Sequence, residues 1–492
     1  MPRWSFTLAL DRTERIPLYI QIVNAIAGDI RRGRIRPGNA LPGTRTLAAQ
    51  LGLHRKTVIA AYDELVSEGW IVTVPGHGTL VAERPLDIEV TRGRIASAPS
   101  AMTPGYGVQS HVNLPPPFEI TPGMLDLRGG YPDVRLAPMT LLGRSYRRAL
   151  RIGGRAVLGY THRKEGHPRL RAALAAMLSS MRGLAVGPEH ILVTRGALMG
   201  INLAARALVA PGDAVVVERL GYRPAWEAFR SAGARLLPIR VDQHGAVIDQ
   251  LPGILDRDSR VRAVYVTPHH QFPTVVGLAA ERRALLLDLA IKKRIAIIED
   301  DYDHEFQYEG PPHLPLASQD RGGVVIYVGT LSKVLAPGLR LGYVAAPPDM
   351  IAQLTLHRMI VDSQGDQVLE AAVAELLEDG EIQRHVLRAR TVYARRREAL
   401  GQALGRELGG VLQFRLPAGG MAIWAAVTAE VDVDRWRQLA IARGVVFETG
   451  RSFDFDDRPL RHVRLGFAAQ TESEIAEGVR RIAAAITETR RS

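Results

Sequence analysis

The feature of this sequence that most constrains its fold is a repeated alternation of short β-branched apolar runs with amphipathic segments, which begins near Gly187. The amphipathic segments have helical periodicity over about ten to fifteen residues. Continuous apolar runs indicate strands that are buried on both faces, and such strands are typical of parallel sheets connected by helices. The pattern therefore predicts a mostly parallel α/β sheet, with strands at HILVT, AVVVE, VRAVYVT, IAIIED and VVIYV.

The chain has 492 residues, which exceeds what one hydrophobic core usually supports, so we expect more than one folding unit. Residues 83–123 are rich in Pro, Gly and Ser and have no apolar period, which predicts a linker. On this interpretation a small domain occupies residues 1–82 and a large domain occupies residues 124–492.

Composition excludes several kinds of protein. No apolar run approaches the roughly 20 residues that span a bilayer, and the N-terminus carries acids where a signal peptide would be apolar, so we expect a cytoplasmic protein with no membrane partner. The absence of cysteine excludes disulfides, thiolate catalysis and cysteine-ligated metals, and the sequence predicts no metal site. The formal net charge of +12 is compatible with a polyanionic partner but does not locate its binding site.

The first 82 residues carry three helical patterns and then two short apolar runs. Leu18, Ile22, Ile26 and Ile30 lie four apart and predict the apolar face of a first helix. A second helix is predicted over TRTLAAQLG, behind a cap at Thr44, and a third over HRKTVIAAYDELVSEG. Two short helices joined by Gly-Leu are typical of a helix-turn-helix, and WIVTV and TLVA around the turn PGHG predict a β-hairpin wing.

The first turn of the third helix would enter the major groove of DNA in such an arrangement. That turn offers His54, Arg55, Lys56 and Thr57, while Arg45 opens the second helix and is placed to reach a phosphate. The alternative is an ordinary three-helix bundle whose charged turns are solvated.

The segment from Pro17 to Ala82 resembles the GntR-type winged helix-turn-helix over nearly its whole length, with Gly43 where serine or alanine is usual. The resemblance favours the DNA-binding interpretation, with a double-stranded operator as the partner. The contacts that it implies come from Arg45, Arg55, Lys56, Thr57 and the wing residues Gly76, Gly78 and Thr79.

Polar side chains follow several of the strands predicted in the large domain, where open α/β sheets bind ligands. Asp300 ends IAIIED and Tyr302 comes just beyond it, whereas Thr330 ends a second strand shortly before Lys333. Tyr222 follows a third strand.

The turn VTRGALMG joins a strand to a helix through Arg195 and Gly196, which leaves free N–H groups at a helix N-terminus for a phosphate. A lysine, a buried aspartate, aromatic rings and a phosphate site are what pyridoxal 5′-phosphate requires. Each residue alone has an ordinary alternative: a surface lysine, a loop carboxylate or helix cap, and a packed tyrosine. Their joint occurrence at successive strand ends favours a site for this cofactor.

The chain is similar to fold-type I aminotransferases from about Asp126 to Arg481, and with the winged helix it resembles the MocR subfamily of GntR regulators. The most specific matches are IIEDDYDHEFQY, YVGTLSKVLAPGLRLGY, LGYTHRKEGHPRLR, TPHHQFPT and RHVRLGF. This resemblance implies a smaller C-terminal α+β subdomain from about residue 390 to 492, and a head-to-tail homodimer.

The resemblance also implies roles for individual residues. Lys333 is the catalytic lysine that bonds to the cofactor aldehyde, Asp300 pairs with the pyridine nitrogen, and Tyr302 donates to the ring O3′. Tyr222 stacks on the ring and Arg464 binds a ligand carboxylate, although an arginine on a strand can equally anchor a structural ion pair. The implied phosphate ligands are Arg340, Thr330, Ser332 and the amides of Gly196 and Ala197, and the residue that reaches in from a second subunit is Tyr160.

Two classes of function stay open at this point: a transcription factor that senses a small amino compound or the cofactor, and an aminotransferase with a DNA-binding appendage. A weaker third interpretation makes the cofactor fold a dimerisation platform. Phe272 stands where catalytic relatives usually carry an asparagine that bonds to O3′, which favours a sensor over a turnover site. Because Lys333 and Asp300 are present, half-reactions remain compatible with the sequence.

Val275 stands where a glycine is expected after Pro-Thr.

Overall fold

The computed structural model describes residue 10 and residues 16–76, 78–83, 105–108, 112–310 and 313–489 of the chain. The chain divides between Gln109 and Ser110 into two compact units, each of which is described separately below. The division lies within the predicted linker, much of which, including residues 84–104, falls outside the described residues. The domain boundaries drawn from the sequence stay predictions.

The small unit consists of three helices and a hairpin. Its elements are α1 (Leu18–Arg31), α2 (Thr44–Leu51), α3 (Arg55–Ser67), β1 (Ile71–Val74) and β2 (Gly78–Val81). The two strands pair antiparallel. This is the winged helix-turn-helix that the sequence predicts.

The core of the small unit contains three of the four residues predicted for the apolar face of the first helix; the fourth, Leu18, is half-buried and lies outside that core. Ile22, Ile26 and Ile30 are buried, and they share one cluster with Val58 and Leu65 of α3. Because these side chains recur at helical spacing, they bring one face of α1 against α3.

The ends of α2 give one confirmed prediction and one error. The helix is followed by Gly52, whose φ of 62° lies in the left-handed region that glycine adopts at low cost. The predicted cap at Thr44 is wrong, because Gly43 occupies the cap position and Thr44 is the first helical residue.

The large unit contains fifteen short strands and eleven α-helices among the described residues. The strands are β3 (Leu125–Asp126), β4 (Ile191–Thr194), β5 (Ala214–Glu218), β6 (Arg235–Ile239), β7 (Val241–Asp242), β8 (Gly245–Ala246), β9 (Val261–Val266), β10 (Ala296–Asp301), β11 (Val325–Thr330), β12 (Gly342–Ala345), β13 (Leu412–Phe414), β14 (Ala422–Val427), β15 (Val445–Val446), β16 (Glu448–Thr449) and β17 (His462–Gly466). The helices are α4 (Met139–Gly153), α5 (Pro168–Arg182), α6 (Ala197–Leu208), α7 (Arg223–Ser231), α8 (Leu251–Arg257), α9 (Ala280–Lys293), α10 (Pro348–Val361), α11 (Gln367–Glu378), α12 (Glu381–Leu408), α13 (Val433–Ala442) and α14 (Glu472–Thr489).

Seven strands form the central sheet, in the order β4-β12-β11-β10-β9-β5-β6. All neighbouring pairs are parallel except those of β12, which runs antiparallel to β11 and β4. The five strands predicted from apolar runs are all in this sheet, so the mostly parallel α/β fold is confirmed. The sequence interpretation missed β6 and β12.

Helices cover both faces of the central sheet. One face packs against α6, α7 and α10, through residues such as Ile201, Phe229 and Leu354. The other face packs against α5 and α11 at one side and against α8 and α9 at the other. Strands such as β5 and β11 therefore bury side chains on both sides, which explains their continuous apolar sequences.

A second sheet, of order β13-β14-β17-β16, is entirely antiparallel. It shares a core with α12, α13 and α14 through Ile423, Val463, Leu400, Trp436 and Ile482. This is the expected smaller α+β subdomain. The helices in the described part of the chain are too short or too polar to cross a membrane.

Candidate functional site

The predicted DNA-binding residues of the small unit lie around the start of α3. His54 precedes the helix, and its Nδ1 accepts a hydrogen bond from the backbone N–H of Lys56 at 3.2 Å. The Nε–H of Arg55 donates to Thr44 Oγ1 at 3.4 Å, which joins the starts of α2 and α3. Exposed side chains here are those of Arg45, His54, Arg55 and Lys56, and Thr57 is half-buried.

The hairpin turn carries the remaining predicted DNA contacts. Gly76 and Gly78 are exposed and have φ values of 79° and 84°, a backbone conformation that favours glycine. Thr79 is half-buried, and His77 lies outside the described residues. The DNA contacts of all these residues stay predictions, although the exposed ones among them are accessible to a phosphate backbone.

In the large unit, β10 and β11 bring Asp300 and Lys333 to the same edge of the central sheet. The two strands are parallel, with Asp300 opposite Val328, so their carboxyl ends lie side by side. Lys333 follows the end of β11 at Thr330. The juxtaposition predicted from the sequence is therefore present.

Asp300 is a buried carboxylate with one oxygen free. Its Oδ2 accepts a hydrogen bond from the Tyr265 hydroxyl at 2.7 Å, and among the described residues Oδ1 has no hydrogen-bond partner. Burial raises the pKa of Asp300 to about 7, and the nearby ammonium of Lys333 opposes this shift. A buried polar atom without a partner costs free energy, so Oδ1 is suited to a donor from a ligand.

Lys333 lies partly buried beneath a loop that the sequence interpretation did not include. Its Nζ donates to Gly130 O at 2.5 Å and lies 5.7 Å from the ring centroid of Tyr131. Burial lowers the pKa of Lys333 to about 8, with a further lowering from Arg464. About a tenth of such an amine is neutral at pH 7, which makes it a better nucleophile than an ordinary lysine.

Arg340 lies at the N-terminus of α6. Its Nη2 donates to Arg195 O at 3.1 Å, and a Cβ placed on Gly196 would lie 3.0 Å from the same nitrogen. Gly196 has a φ of 85° and directly precedes α6, which starts at Ala197. A guanidinium beside the first N–H groups of a helix forms an anion-binding site.

Hydroxyl groups from the end of β11 follow the same turn as Lys333. Thr330 Oγ1 accepts from the backbone N–H of Ser332 at 3.1 Å and donates to Leu341 O at 3.4 Å. Ser332 Oγ is buried and has no hydrogen-bond partner among the described residues. The Ser332 hydroxyl can therefore donate to a bound group without losing an existing bond.

Three aromatic rings form a wall beside these groups. The Phe272 ring lies edge-on to Tyr222, at 5.7 Å between centroids, and to Tyr302, at 6.0 Å. Burial raises the pKa of Tyr222 to about 12, with a smaller contribution from the charge of Asp300, which places Tyr222 near that carboxylate. The Tyr302 hydroxyl donates to His270 O at 3.0 Å, so it would have to turn before donating to a cofactor oxygen as predicted.

Arg464 is only 1% exposed and lies over the Phe272 ring, with Cζ 4.8 Å from the centroid. Its Nε donates to Pro273 O at 3.3 Å and its Nη1 to Arg128 O at 3.2 Å, while Nη2 has no partner among the described residues. A Cβ on Gly129 would lie 2.7 Å from Nη1. No salt bridge of Arg464 is found in the described part of the chain, which argues against a structural ion pair.

Tyr160, which was expected to serve a second subunit, is 91% exposed. It follows the short helical turn Gly154–Leu158. Its contact with another chain stays a prediction.

Three features near the site were not predicted in full. Tyr265 sits within the apolar run of β9, so its contact with Asp300 had no sequence signal. Gly130 and Tyr131 belong to the segment RGGYPD, whose paired glycines signal a close backbone approach. Val275 has a φ of 59°, so the backbone is left-handed where the sequence pattern leads one to expect glycine.

Two known families match the two units. Residues 18–81 match the bacterial regulatory proteins of the gntR family, and residues 145–482 match aminotransferase class I and II. The chain is 31% identical over 477 residues to the probable rhizopine catabolism regulatory protein MocR of Rhizobium meliloti, a match that covers 96% of this chain and 94% of that protein. It is 32% identical over 476 residues to the HTH-type transcriptional regulator TauR of Rhodobacter capsulatus, with 93% and 94% covered.

The large unit is also similar to solved aminotransferase structures. The α-aminoadipate aminotransferase LysN of Thermus thermophilus, complexed with N-(5′-phosphopyridoxyl)-L-leucine, has a TM-score of 0.70 and 29% identity, covering 75% of this chain and 94% of that one. The full-length likeness to MocR and TauR includes both the winged helix and the aminotransferase fold. The chain therefore belongs to the MocR subfamily of GntR transcriptional regulators, DNA-binding proteins whose large domain has the fold of the fold-type I aminotransferases.

Proposed function

We propose that this regulator binds pyridoxal 5′-phosphate covalently at Lys333 and senses a small amino compound, or the cofactor itself, through that site. The observation that carries the proposal is the free, buried Oδ1 of Asp300 at the same sheet edge as the low-pKa amine of Lys333. Occupancy of the site would alter how the winged helices hold a double-stranded operator.

Three buried atoms support the fit of the cofactor and an amino-acid ligand. Among the described residues, Asp300 Oδ1, Ser332 Oγ and Arg464 Nη2 have no hydrogen-bond partner. A carboxylate oxygen suits a protonated pyridine nitrogen, a hydroxyl suits a phosphate, and a guanidinium suits a carboxylate. Each group would regain through the ligand a partner that burial denies it.

When bound, the cofactor would supply an aldehyde that condenses reversibly with primary amines. Lys333 offers an amine that is partly neutral near pH 7 because burial lowers its pKa to about 8. Asp300 would hold a proton at the ring nitrogen, and Arg340 with the start of α6 would hold the phosphate. Tyr222 would cover one face of the ring.

The sensor interpretation is favoured over a working aminotransferase by the family and by Phe272. At the position where catalytic relatives usually place a donor to O3′, this chain has an apolar ring that packs on Arg464. Because Lys333 and Asp300 are both in place, slow half-reactions remain compatible with this proposal. A ligand can change DNA binding only if it prefers one conformation of the protein, so the effector must close or open the site.

A head-to-tail homodimer is part of the proposal. A cavity of about 650 Å³ beside Arg340 is lined by α4 and α11, including Met139, Leu142 and Leu369. Met139, which lines this cavity, is 70% exposed, and Leu158, in the short helical turn after α4, is 71% exposed. A second chain would cover these side chains and bring its Tyr160 to the cofactor site.

The test is an absorbance titration of the full-length protein with pyridoxal 5′-phosphate, combined with DNA binding measured by fluorescence anisotropy on a fragment that the protein selects from random sequence. The variant Lys333→Ala should lose the borohydride-reducible covalent band and the response of DNA affinity to the cofactor. Lys292→Ala, which removes an exposed lysine of α9, is the matched control and should behave as the unmodified protein.

The alternatives give different results in the same experiment. If Lys333→Ala and the unmodified protein bind DNA equally with and without cofactor, the large unit is a dimerisation platform and sensing is wrong. If the purified protein transaminates amino acids over many turnovers, the enzyme alternative replaces the sensor.

A further inference from the structure

The neighbouring carboxylates at the end of β10 point to opposite faces of the sheet, as successive residues of a strand do. Asp300 contacts Tyr265, whereas Asp301 Oδ2 accepts from the Tyr327 hydroxyl at 2.6 Å. On the Asp301 side lie His269, from the segment after β9, and His304, from the turn after β10. Asp301 and His269 are each 3% exposed and His304 is 8% exposed, so a second buried polar cluster lies behind the proposed cofactor site.

We propose that His269, Asp301 and His304 bind one divalent transition metal ion of the zinc class. One ligand atom from each of the three lies within 4.8 Å of the others. His304 Nδ1 is 2.9 Å from Asp301 Oδ2, and the imidazole rings of His269 and His304 are 4.3 Å apart between centroids. Donors on one tetrahedral zinc ion lie about 3.3 Å apart, so modest side-chain rotations bring all three onto one ion.

The second observation is that this cluster contains buried polar atoms without partners. Among the described residues, both ring nitrogens of His269 and Asp301 Oδ1 have no hydrogen-bond partner. A neutral imidazole always carries one N–H donor and one acceptor nitrogen, so a buried His269 with neither satisfied is an exception that requires an explanation. A metal ion explains it, because the ion takes the acceptor nitrogen that no protein donor reaches.

The surroundings have the character of a metal site. The Tyr327 hydroxyl donates a hydrogen bond to Asp301 and holds its carboxylate in place, as the hydrogen-bond partners of metal ligands do. Arg182 lies 3.8 Å from Asp301, but it also pairs with Glu305, which balances its charge and leaves the Asp301 carboxylate for a cation. His270 is not a ligand in this proposal, because its Nδ1 lies 2.7 Å from Asp303 and is already paired.

The sequence carries no local signal for this site, because His269 is far from Asp301 and His304 along the chain and the three have no ligand spacing. The fold brings them together at the ends of the adjacent parallel strands β9 and β10. A bound ion would join the segment after β9 to the turn after β10. The same two segments carry Phe272 and Tyr302 on the cofactor side, so the ion would hold both walls of that site.

The test uses full-length protein without a histidine tag, stripped with a chelator and equilibrated with zinc or with cobalt(II). We expect one zinc ion per chain by mass spectrometry, visible cobalt bands typical of tetrahedral coordination, and a higher melting temperature with zinc. His269→Ala and His304→Ala should each weaken zinc binding by more than about 100-fold. Loss of a residue that only supports a metal ligand weakens binding by at most about that factor, so a larger loss indicates a direct ligand. His162→Ala, which removes an exposed histidine, is the control and should bind as the unmodified protein.

Two results overturn the proposal. One is unmodified protein that binds no stoichiometric zinc and develops no tetrahedral cobalt bands, and this result does not depend on the folding of any variant. The other is zinc binding that is unchanged in the double variant His269→Ala/His304→Ala, which would locate the metal elsewhere. Asp301→Asn keeps the shape of the ligand and, if the alanine variants do not fold, serves as the variant expected to lose zinc affinity.

Discussion

The small and large units place their functional polar groups in opposite settings. In the small unit Arg45, Arg55 and Lys56 are exposed, and their charges are solvated whether or not DNA is present. In the large unit Asp300 and Arg464 are buried, and each keeps an atom without a partner among the described residues. Exposed groups bind a large partner at no cost to the fold, whereas buried groups destabilise the ligand-free protein until a small ligand pairs with them. The predictions below test this contrast.

The largest effect is expected from Arg464→Ala. Loss of a buried guanidinium that pairs with a ligand carboxylate costs about 3–5 kcal/mol, or more than a hundredfold in affinity. The measurement is a titration of the cofactor-loaded protein with an amino acid and with the amine that lacks its carboxylate. Only the amino acid should bind more weakly to the variant, and an equal loss for both compounds would show that Arg464 does not read the carboxylate.

The next effect concerns pH and Asp300. Burial raises the pKa of Asp300 to about 7 in the folded protein, so the folded state holds this proton more tightly than the unfolded chain does. Stability of the cofactor-free protein should therefore fall as pH rises from about 4 to about 7, by up to about 4 kcal/mol from this group. Urea unfolding at a series of pH values measures the fall.

Asp300→Asn separates this group from other buried acids. Burial also raises the pKa values of Glu218 and Glu299 to about 7, so these two acids add to the fall in stability of the unmodified protein as pH rises. The difference in stability between the unmodified protein and Asp300→Asn should grow across the same pH range and should shrink when the cofactor is bound. A difference that is constant with pH would mean that Asp300 is not desolvated.

The third effect is on DNA. Arg55→Ala should weaken DNA binding by about 1–3 kcal/mol if the side chain reads a base, or reduce the salt dependence of binding by about one charge if it contacts a phosphate. Because Arg55 is exposed, the free energy of unfolding should change by no more than about 0.5 kcal/mol. Lys292→Ala removes the same charge from the large unit and should change neither quantity, and unfolding of the Arg55 variant at lower urea would contradict the contrast between the units.

The sequence predicted more of the fold than of the site. Strands such as β10 are buried on both faces and appear as unbroken apolar runs. Strand β6 was missed because it contains Pro238 and lies at the edge of the sheet, where proline is tolerated. Asp300 and Lys333 were predicted because they follow such runs. Tyr265 and the cluster around His269 were not, since their contacts join strands that are distant in sequence.

The smallest effect is expected in the large unit at Val275, where the sequence departs from the expected glycine. Val275 is β-branched and has a φ of 59°, a conformation that costs such a residue about 1–2 kcal/mol. Val275→Gly would relieve this strain, but it would also increase the conformational freedom of the unfolded chain. The net gain in stability should therefore be about 0.5–1 kcal/mol by urea unfolding. Val276→Gly, at the next residue, is the control and should destabilise, and a loss of stability in both variants would mean that packing outweighs backbone strain at this turn.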